Sequence, residues 1–497
     1  MKRIYKSFAL ASAVLALTAC GNDWLDLEPA NGVETSKAIT NLNDAQTAYY
    51  GMYDGLQGNS TYRTYYAARM FYYGDVRGED MQARTQGMRS SSCYEMIYSV
   101  DDAPNMWNVP YNVIRRANRL IQAVDKKQIT DASESEIGQL YAEAKVVRAL
   151  VHFDLVRIYG MPYTADAGAS LGIPIMLEPE EDSDALPTRN TVAEVYNQVV
   201  KDITEAIGSG FMVTKKNNGY ITVWTAKALL SRVYLYMNKN KEALQAAEDV
   251  IANSPYQLWT NAEYVQAWNK GDGAHTNEML FELVNESSDD WADREGIAYL
   301  YNEGGYADAI VTKAFSDMMA ADSSDVRNGV ILPALEDADL IKKYGKTKIF
   351  VNKFPADKSG DMRLNNLPLL RLSEVYLNAA EAAAKLGNQT AAAKYLNVIA
   401  QRANPQAAAV TESDATLARI ILERRKEFVG EGQRFFDAMR NNETIVRYTN
   451  ESDMGWHYAL RAESQKFDRT YFRAILPIPI EETDANPEIA KQQNPGY

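Results

Sequence analysis

Cysteine and histidine are the scarcest reactive residues in this 497-residue chain: two cysteines, Cys20 and Cys93, and three histidines, His152, His275 and His457. Two cysteines allow one disulfide at most, so stability must come from core packing rather than cross-links. The histidines lie far apart, and no His-Glu-x-x-His pair, Gly-x-Ser-x-Gly elbow or phosphate loop occurs. Basic charge is short as well. Against 66 Asp and Glu stand 52 Lys and Arg, a formal net charge of −14, and no patch is basic enough for nucleic acid. With so many carboxylates, close acidic pairs arise by chance, and none marks a glycosidase centre. Beyond the first twenty residues no stretch approaches the roughly 18 apolar residues of a membrane-spanning helix.

What is there begins with an address. Lys2, Arg3 and Lys6 precede an apolar run from Phe8 to Leu17, and Leu17-Thr18-Ala19-Cys20-Gly21 sets small residues directly before a cysteine. A basic start, a short apolar segment and a small-residue cut site make a secretory signal. The cysteine at the cut makes it a lipoprotein signal. Residues 1–19 are expected to be removed, and Cys20 to carry acyl chains that tether the protein to a membrane. Cys93 then has no intrachain partner. The polar stretch 20–40 suits a tether.

Helical periodicity dominates the rest. An amphipathic helix is predicted from Asn41 to Leu56, followed by an irregular stretch over 57–105 rich in Tyr, Arg, Ser and Asp. Trp107, Tyr111, Ile114, Asn118 and Ile121 then recur at helical spacing, which places Trp107 in the core. Ile137 to Tyr159 reads as a long helix closed by Gly160 and Pro162, with His152 a structural residue on it. Residues 164–189 read as a loop whose acidic run, Glu178, Glu180, Glu181, Asp182 and Asp184, is solvated rather than metal-binding. Residues 224–255 fit the helix–turn–helix of a tetratricopeptide repeat, with Leu230, Ser231 and Tyr234 on the first helix and Ala243, Ala247 and Val250 on the second. A second match spans 373–404 through Ala380, Ala383, Gly387, Ala392 and Leu396. The spacing from Ser231 to Ala243 equals that from Ala380 to Ala392, which fixes the register. Helices 107–123 with 137–159, and 191–207 with 224–237, are expected to supply further pairs, with Trp224 in the core. Repeat-like units therefore cover about 107–255 and 371–404. Between them, 256–370 breaks the rhythm with Trp259, Tyr264, Trp268, Trp291, Tyr299, Tyr301 and Tyr306 around Gly304-Gly305. An insertion that long in a helical stack is a functional excursion. The stretch 441–497 reads as irregular. Glu423, Arg424, Arg425 and Glu427 read as helix-face or buried structural ion pairs, part of the scaffold.

Several segments together resemble the SusD/RagB family of surface nutrient-binding lipoproteins. Asp23-Trp24-Leu25-Asp26-Leu27-Glu28-Pro29 is similar to the family's opening motif. Trp107 to Tyr111 with Ile114 to Asn118 resembles the next element. Glu143-Ala144-Lys145, Arg148-Ala149, Phe153-Asp154-Leu155-Val156 and Tyr159-Gly160 resemble its best-defined helix. Leu370-Arg371-Leu372-Ser373-Glu374-Val375-Tyr376-Leu377 with Ala380-Glu381-Ala382 is another match. So is Glu423-Arg424-Arg425-Lys426-Glu427 with Glu431-Gly432-Gln433-Arg434-Phe435-Phe436-Asp437. Ile478-Pro479, Asn486-Pro487 and Gln493-Asn494-Pro495-Gly496-Tyr497 complete the series, which runs in order along the whole chain.

The resemblance implies a mostly α fold over 41–497, with four tetratricopeptide-like units as scaffold and a loop-rich remainder carrying the ligand site. It implies a non-enzymatic protein on the outer face of the outer membrane, capping a SusC-like TonB-dependent transporter. The expected ligand is an oligosaccharide or, in some members, a peptide. No cofactor or metal is expected, and no loop has calcium-binding spacing.

Sugar recognition needs flat apolar faces to stack on ring C–H groups and planar polar groups to pair with hydroxyls. The 72–105 stretch offers Asp75, Asp80, Arg84, Tyr94 and Tyr98. The 285–306 excursion offers Trp291, Arg294, Tyr299, Tyr301 and Tyr306. Each aromatic fits a core as well as a ligand face. Two functions stand side by side: a surface glycan-binding module working with a transporter, and an interaction protein whose ligand is a peptide or the barrel itself.

Overall fold

The computed structural model describes residues 38–58, 65–84, 89–179, 186–215, 219–269, 274–275, 277–285, 295–333, 349–355, 361–447 and 460–497. The expected signal and the tether with Cys20, apart from residues 38–40, lie outside the described residues, as do Trp291 and Arg294 and most of the acidic run, Glu180 to Asp184.

Among the described residues, ten helices of eight or more residues carry the frame. They are α1 (Leu42–Gln57), α2 (Asn108–Asp125), α3 (Glu134–Tyr159), α4 (Val192–Gly208) and α5 (Val223–Tyr236). After them come α6 (Asn240–Asn253), a short helix Lys313–Ala320 labelled α7, α8 (Leu372–Lys385), α9 (Gln389–Ala403) and α10 (Leu417–Phe428). Local chemistry sets where they start. Asn41 caps α1 by accepting from the Asp44 amide at 3.0 Å. Ser133 with Glu136 and Thr191 with Glu194 form capping boxes at α3 and α4, satisfying amides that the first turn leaves unpaired.

Successive helices stack side by side: α1 on α2, α2 on α3, α3 on α4, α4 on α5, α5 on α6, α6 on α8 and α8 on α9. Helix α4 lies against α3 as well as α5, so it bridges two neighbours rather than pairing with 224–237 alone. The hairpins α5–α6 and α8–α9 are built alike. Each turns through a left-handed residue, Asn238 (φ 57°) and Gly387 (φ 75°), at the same offset. Each closes with the same bond, Lys239 N to Tyr234 O and Asn388 N to Ala383 O, both 2.9 Å. Fully buried Ala228, Ser231, Ala243 and Ala247 on one hairpin, and Ala379, Ala380, Ala383 and Ala392 on the other, let the helices approach closely. The mostly α, repeat-built fold is the one expected.

Two stretches expected to be irregular are core instead. Residues 65–83 form a π-helical turn (Tyr65–Arg69), a helix (Met70–Asp75) and strand β1 (Met81–Ala83), nearly all of them buried. A segment covered on every side shows no polar–apolar alternation, so periodicity cannot reveal it. The 256–370 excursion contributes β2 (Met279–Leu283), β3 (Ala309–Val311), β4 (Ile331–Pro333), β5 (Ile349–Val351) and β6 (Leu367–Arg371). These pair as antiparallel ribbons β1–β3, β2–β6 and β4–β5, and β6 runs straight into α8. Trp259, Tyr264 and Trp268 of this excursion are buried. Trp107 is also buried, whereas Trp224 is half-exposed and donates its indole N–H to Thr214 O at 2.8 Å. The C-terminal stretch returns to α3: Asn494 donates to Tyr159 O at 2.8 Å, and Leu476 N to Ile158 O at 2.9 Å.

Buried ions hold these parts together. Arg148 of α3 grips Asp202 of α4 through two bonds (2.8 and 2.7 Å) and reaches Asn118 of α2 at 2.9 Å. Arg424 of α10 repeats this pattern with Asp437 (2.8 Å) and Asn378 of α8 (2.8 Å). Arg232 of α5 holds Glu374 of α8 at 2.6 and 2.5 Å. Deepest is Glu427, paired with Arg402 (2.5 Å), Arg371 (3.1 Å) and Arg327 (3.3 Å). Burial alone would raise its pKa, but these arginines hold it well below the usual carboxylate range. Arg371 also bonds Glu278 (2.6 Å) and Glu431 (2.7 Å). Glu423, Arg424 and Glu427 are thus scaffold residues, as the sequence indicates.

Removing one member of such a set strands buried carboxylates. Arg371→Met should cost about 3–5 kcal/mol in chemical denaturation. Lys491→Ala, which removes the exposed Lys491–Glu488 pair, should cost under about 0.5 kcal/mol. His152 gives a pH test. Its Nε2 accepts from Met176 N at 3.3 Å, and its Nδ1 sits 3.0 Å from Arg148 O. Burial, with the Arg148 charge, pushes its pKa down to about 3. The unfolded chain therefore takes up this proton near pH 6.5 while the native state refuses it until about pH 3. Below pH 6.5 the wild type should lose about 1.4 kcal/mol per pH unit more than His152→Asn, read from unfolding curves at pH 7, 6 and 5.

Candidate functional site

The eight described residues of the ten singled out for ligand contact separate sharply by burial. Asp75 is buried and accepts from the Tyr301 hydroxyl at 2.8 Å and from Gly432 N at 3.0 Å. Burial pushes its pKa up to about 8, the two donors resisting. Asp80 is buried under Arg425, whose Nε lies 3.1 Å away. Tyr94 lies beneath the Arg447 guanidinium, 4.8 Å from its ring centre. Tyr98 accepts from Arg77 at 3.0 Å and donates to Arg473 O at 2.6 Å. Tyr301 is fully buried. These five are engaged inside the protein and present no face to a ligand, which corrects the expectation for them. A carboxylate or phenol looks the same in sequence whether it meets a sugar or an internal arginine.

Tyr299, Tyr306 and Arg84 are half-exposed, and the first two come together. Their rings lie 5.9 Å apart at 42°. The short helix Ile297–Tyr301 carries Tyr299, and a tight return brings Tyr306 beside it through bonds from Tyr306 N to Tyr299 O and Asp308 N to Leu300 O, both 2.7 Å. Gly305 makes the return possible, because a Cβ there would stand 2.4 Å from Tyr299 O. Ala307, with φ 48°, lies between half-exposed Tyr306 and buried Asp308.

Sequence reasoning missed the charged groups around this pair. The Arg89 guanidinium carbon sits over Tyr306, 3.9 Å from the ring centre. The guanidinium is held by Glu295, at 2.6 Å through one of its two bonds, and that hydrogen bond raises the Arg89 pKa. Arg363 flanks Tyr299 and forms a fork with Asp361 (2.9 Å). No local signal marks Arg89, since its partners stand some two hundred residues away in sequence. Asp308 is the clamp: it accepts from Ser90 N at 2.9 Å, Ser90 Oγ at 2.5 Å and Arg89 N at 3.1 Å. Arg84 reaches the same strand by donating its amide to Asp308 O at 2.8 Å. A pair of tilted aromatic faces flanked by two guanidiniums and carboxylates can stack on a ring and pair with its hydroxyls. Among the described residues no group of three or more His, Cys, Asp or Glu is placed to hold a metal ion.

The fold is thus a helical-repeat scaffold that bears a small aromatic, arginine-flanked face. The chain belongs to the SusD family, whose model matches residues 176–497. A second model, described as starch-binding and associating with the outer membrane, matches residues 23–235. The chain is 23% identical to SusD-like protein P38 of Formosa agariphila over 89% of its own length and 92% of that protein. Among solved structures, a SusD superfamily protein of Bacteroides thetaiotaomicron is 39% identical, with a TM-score of 0.83, covering 92% of this chain and all of that one. A putative sugar-binding protein of Bacteroides vulgatus is 36% identical, with a TM-score of 0.83 over 93% of this chain and 99% of its own. A laminarin-binding SusD-like protein shares the fold at 24% identity and a TM-score of 0.69, covering 92% of this chain and all of that one.

The clamp can be tested without a ligand. Asp308→Ala should release the Arg89 and Ser90 amides, so their hydrogen–deuterium exchange should speed up by tenfold or more while amides within α8 keep their rates.

Proposed function

We propose that this chain is a cell-surface glycan-binding lipoprotein: acylated at Cys20, it captures oligosaccharides at the outer membrane and delivers them to a SusC-like TonB-dependent transporter. The observation that carries the reading is the Tyr299–Tyr306 pair with Arg89 laid over it, half-exposed on the excursion from the helical stack. The starch-binding description of the family model and the sugar-binding description of the Bacteroides vulgatus relative support the same ligand class. The site binds and passes on its ligand unchanged. Trp291 and Arg294, shortly before Glu295 in sequence, are proposed as further ligand contacts.

Calorimetry on the soluble chain starting at Asn22 tests this with laminarin and starch oligosaccharides, other plant, host and microbial glycans, and mixed peptides. At least one glycan class should bind without product release. Tyr299→Ala or Tyr306→Ala should weaken it by roughly tenfold, the worth of one aromatic stacking contact. Unchanged affinity in both variants would remove the face from the site. Peptide binding with silence on every glycan would overturn the glycan reading.

A further inference from the structure

A cleft built from different elements lies along the exposed side of α2. Its volume is about 250 Å³, against about 40 and 20 Å³ for two smaller cavities lined by Arg157. One wall is the α2 face carrying Asn108, Tyr111, Asn112 and Arg115; the other is the loop at 174–178 with Pro187 and Glu482.

Hydrogen bonds fix the two walls at a set separation. Tyr111 donates to Pro174 O at 2.9 Å, and buried Asn118 to Met176 O at 3.0 Å and Glu178 O at 3.2 Å. The Trp107 indole donates to Glu482 at 3.1 Å, and Asn486 to Pro187 O at 2.8 Å. The cleft therefore exists before any ligand arrives, which lowers the ordering cost of binding. While the walls use their own polar groups on one another, one row stays free. Among the described residues the Asn108 side-chain amide, the Asn112 side-chain amide nitrogen and the exposed Arg115 guanidinium have no hydrogen-bond partner, although all three residues line the cleft. They stand one turn apart on a single helix face.

The composition selects the ligand. Glu178 and Glu482 oppose an anion, and Arg115 opposes a cation. Amide and guanidinium donors facing carboxylate acceptors suit hydroxyls, each of which both donates and accepts. Half-buried Tyr111 offers part of a ring face, and Pro174 and Met176 supply apolar wall. The volume lies just under the roughly 300–1,000 Å³ of sites for larger ligands, room for one ring rather than a chain. We infer that this cleft is a second binding site, separate from the Tyr299–Tyr306 face, that takes a single neutral sugar ring.

The test uses the full soluble chain carrying Tyr299→Ala and Tyr306→Ala, so that only binding elsewhere is read. Glucose, galactose and N-acetylglucosamine are titrated by saturation-transfer NMR and calorimetry, with glucuronate and glucosamine as charged counterparts. At least one neutral sugar should bind this variant, and adding Asn108→Ala and Arg115→Ala should weaken that binding at least tenfold. Both added positions are exposed, and an unchanged thermal melt verifies the fold. In the otherwise wild-type chain, the Asn108→Ala/Arg115→Ala pair should leave oligosaccharide affinity at the tyrosine face unaltered, which separates this site from that one. No saturable binding of any neutral sugar, binding indifferent to the added pair, or tighter binding of a charged counterpart would overturn the inference.

Discussion

Everything in this molecule hangs on arginines buried against carboxylates. Arg371 touches Glu278, Glu427 and Glu431, which belong to β2's approach, α10 and the turn after it. Arg148 and Arg232 do the same between adjacent helices. Taking such charges out of water is costly, and their mutual attraction only about offsets that cost. What the network supplies is therefore geometry. A guanidinium fork accepts partners only at particular angles, so each one fixes the relative position of two or three elements. Alanine-rich helix faces could slide or rotate against one another; with Arg148 on Asp202 and Arg232 on Glu374 they have one register.

Fixing the scaffold in this way frees the excursion from structural duty at its surface. β2 and β6 anchor it to the start of α8, and β1–β3 ties it to the segment at 65–98. Between those anchors the chain turns tightly through Gly305 and presents Tyr299 and Tyr306, with Arg89 set over one ring from the bend before the short helix Ser91–Glu95. The face is small and rests on rigid parts, since Asp308 and Tyr301 beneath it are buried and bonded. Ligand groups would meet side chains already in place.

The sequence discloses what is periodic or signposted. The hairpins at 223–253 and 372–403 appear because small residues recur at equal spacing, and α1 begins one residue from its expected start because Asn41 caps it. The scaffold role of Arg424 and Glu427 was legible from the crowding of charge on a helix. The segment at 65–83 was not, because burial on all sides erases alternation. The site was half legible. Tyr299 and Tyr306 beside Gly304-Gly305 stand out, yet nothing local distinguishes them from Tyr301, which turns inward two residues from Tyr299. Arg89 was invisible because its meaning comes from Glu295 and Tyr306, far along the chain.

One arrangement reaches into how the chain comes to be folded. Besides its ties to β3 and Asp308, the stretch from Asp75 to Tyr98 takes bonds from residues 425–473: Asp75 from Gly432, Glu79 from Arg434, Asp80 from Arg425, Val76 and Gly78 from Arg447, and Tyr98 reaches Arg473. During synthesis the first of these segments appears more than three hundred residues before its partners. Until they arrive, Glu79 and Asp80 lack the arginines that pair with them in the folded protein, and burying them unpaired is costly. Loop closures that long are slow to form and leave early segments exposed meanwhile. The segment at 75–98 thus completes its contacts only once the far end of the chain is in place, and the finished protein ties its N-terminal half to its C-terminal half through these buried pairs.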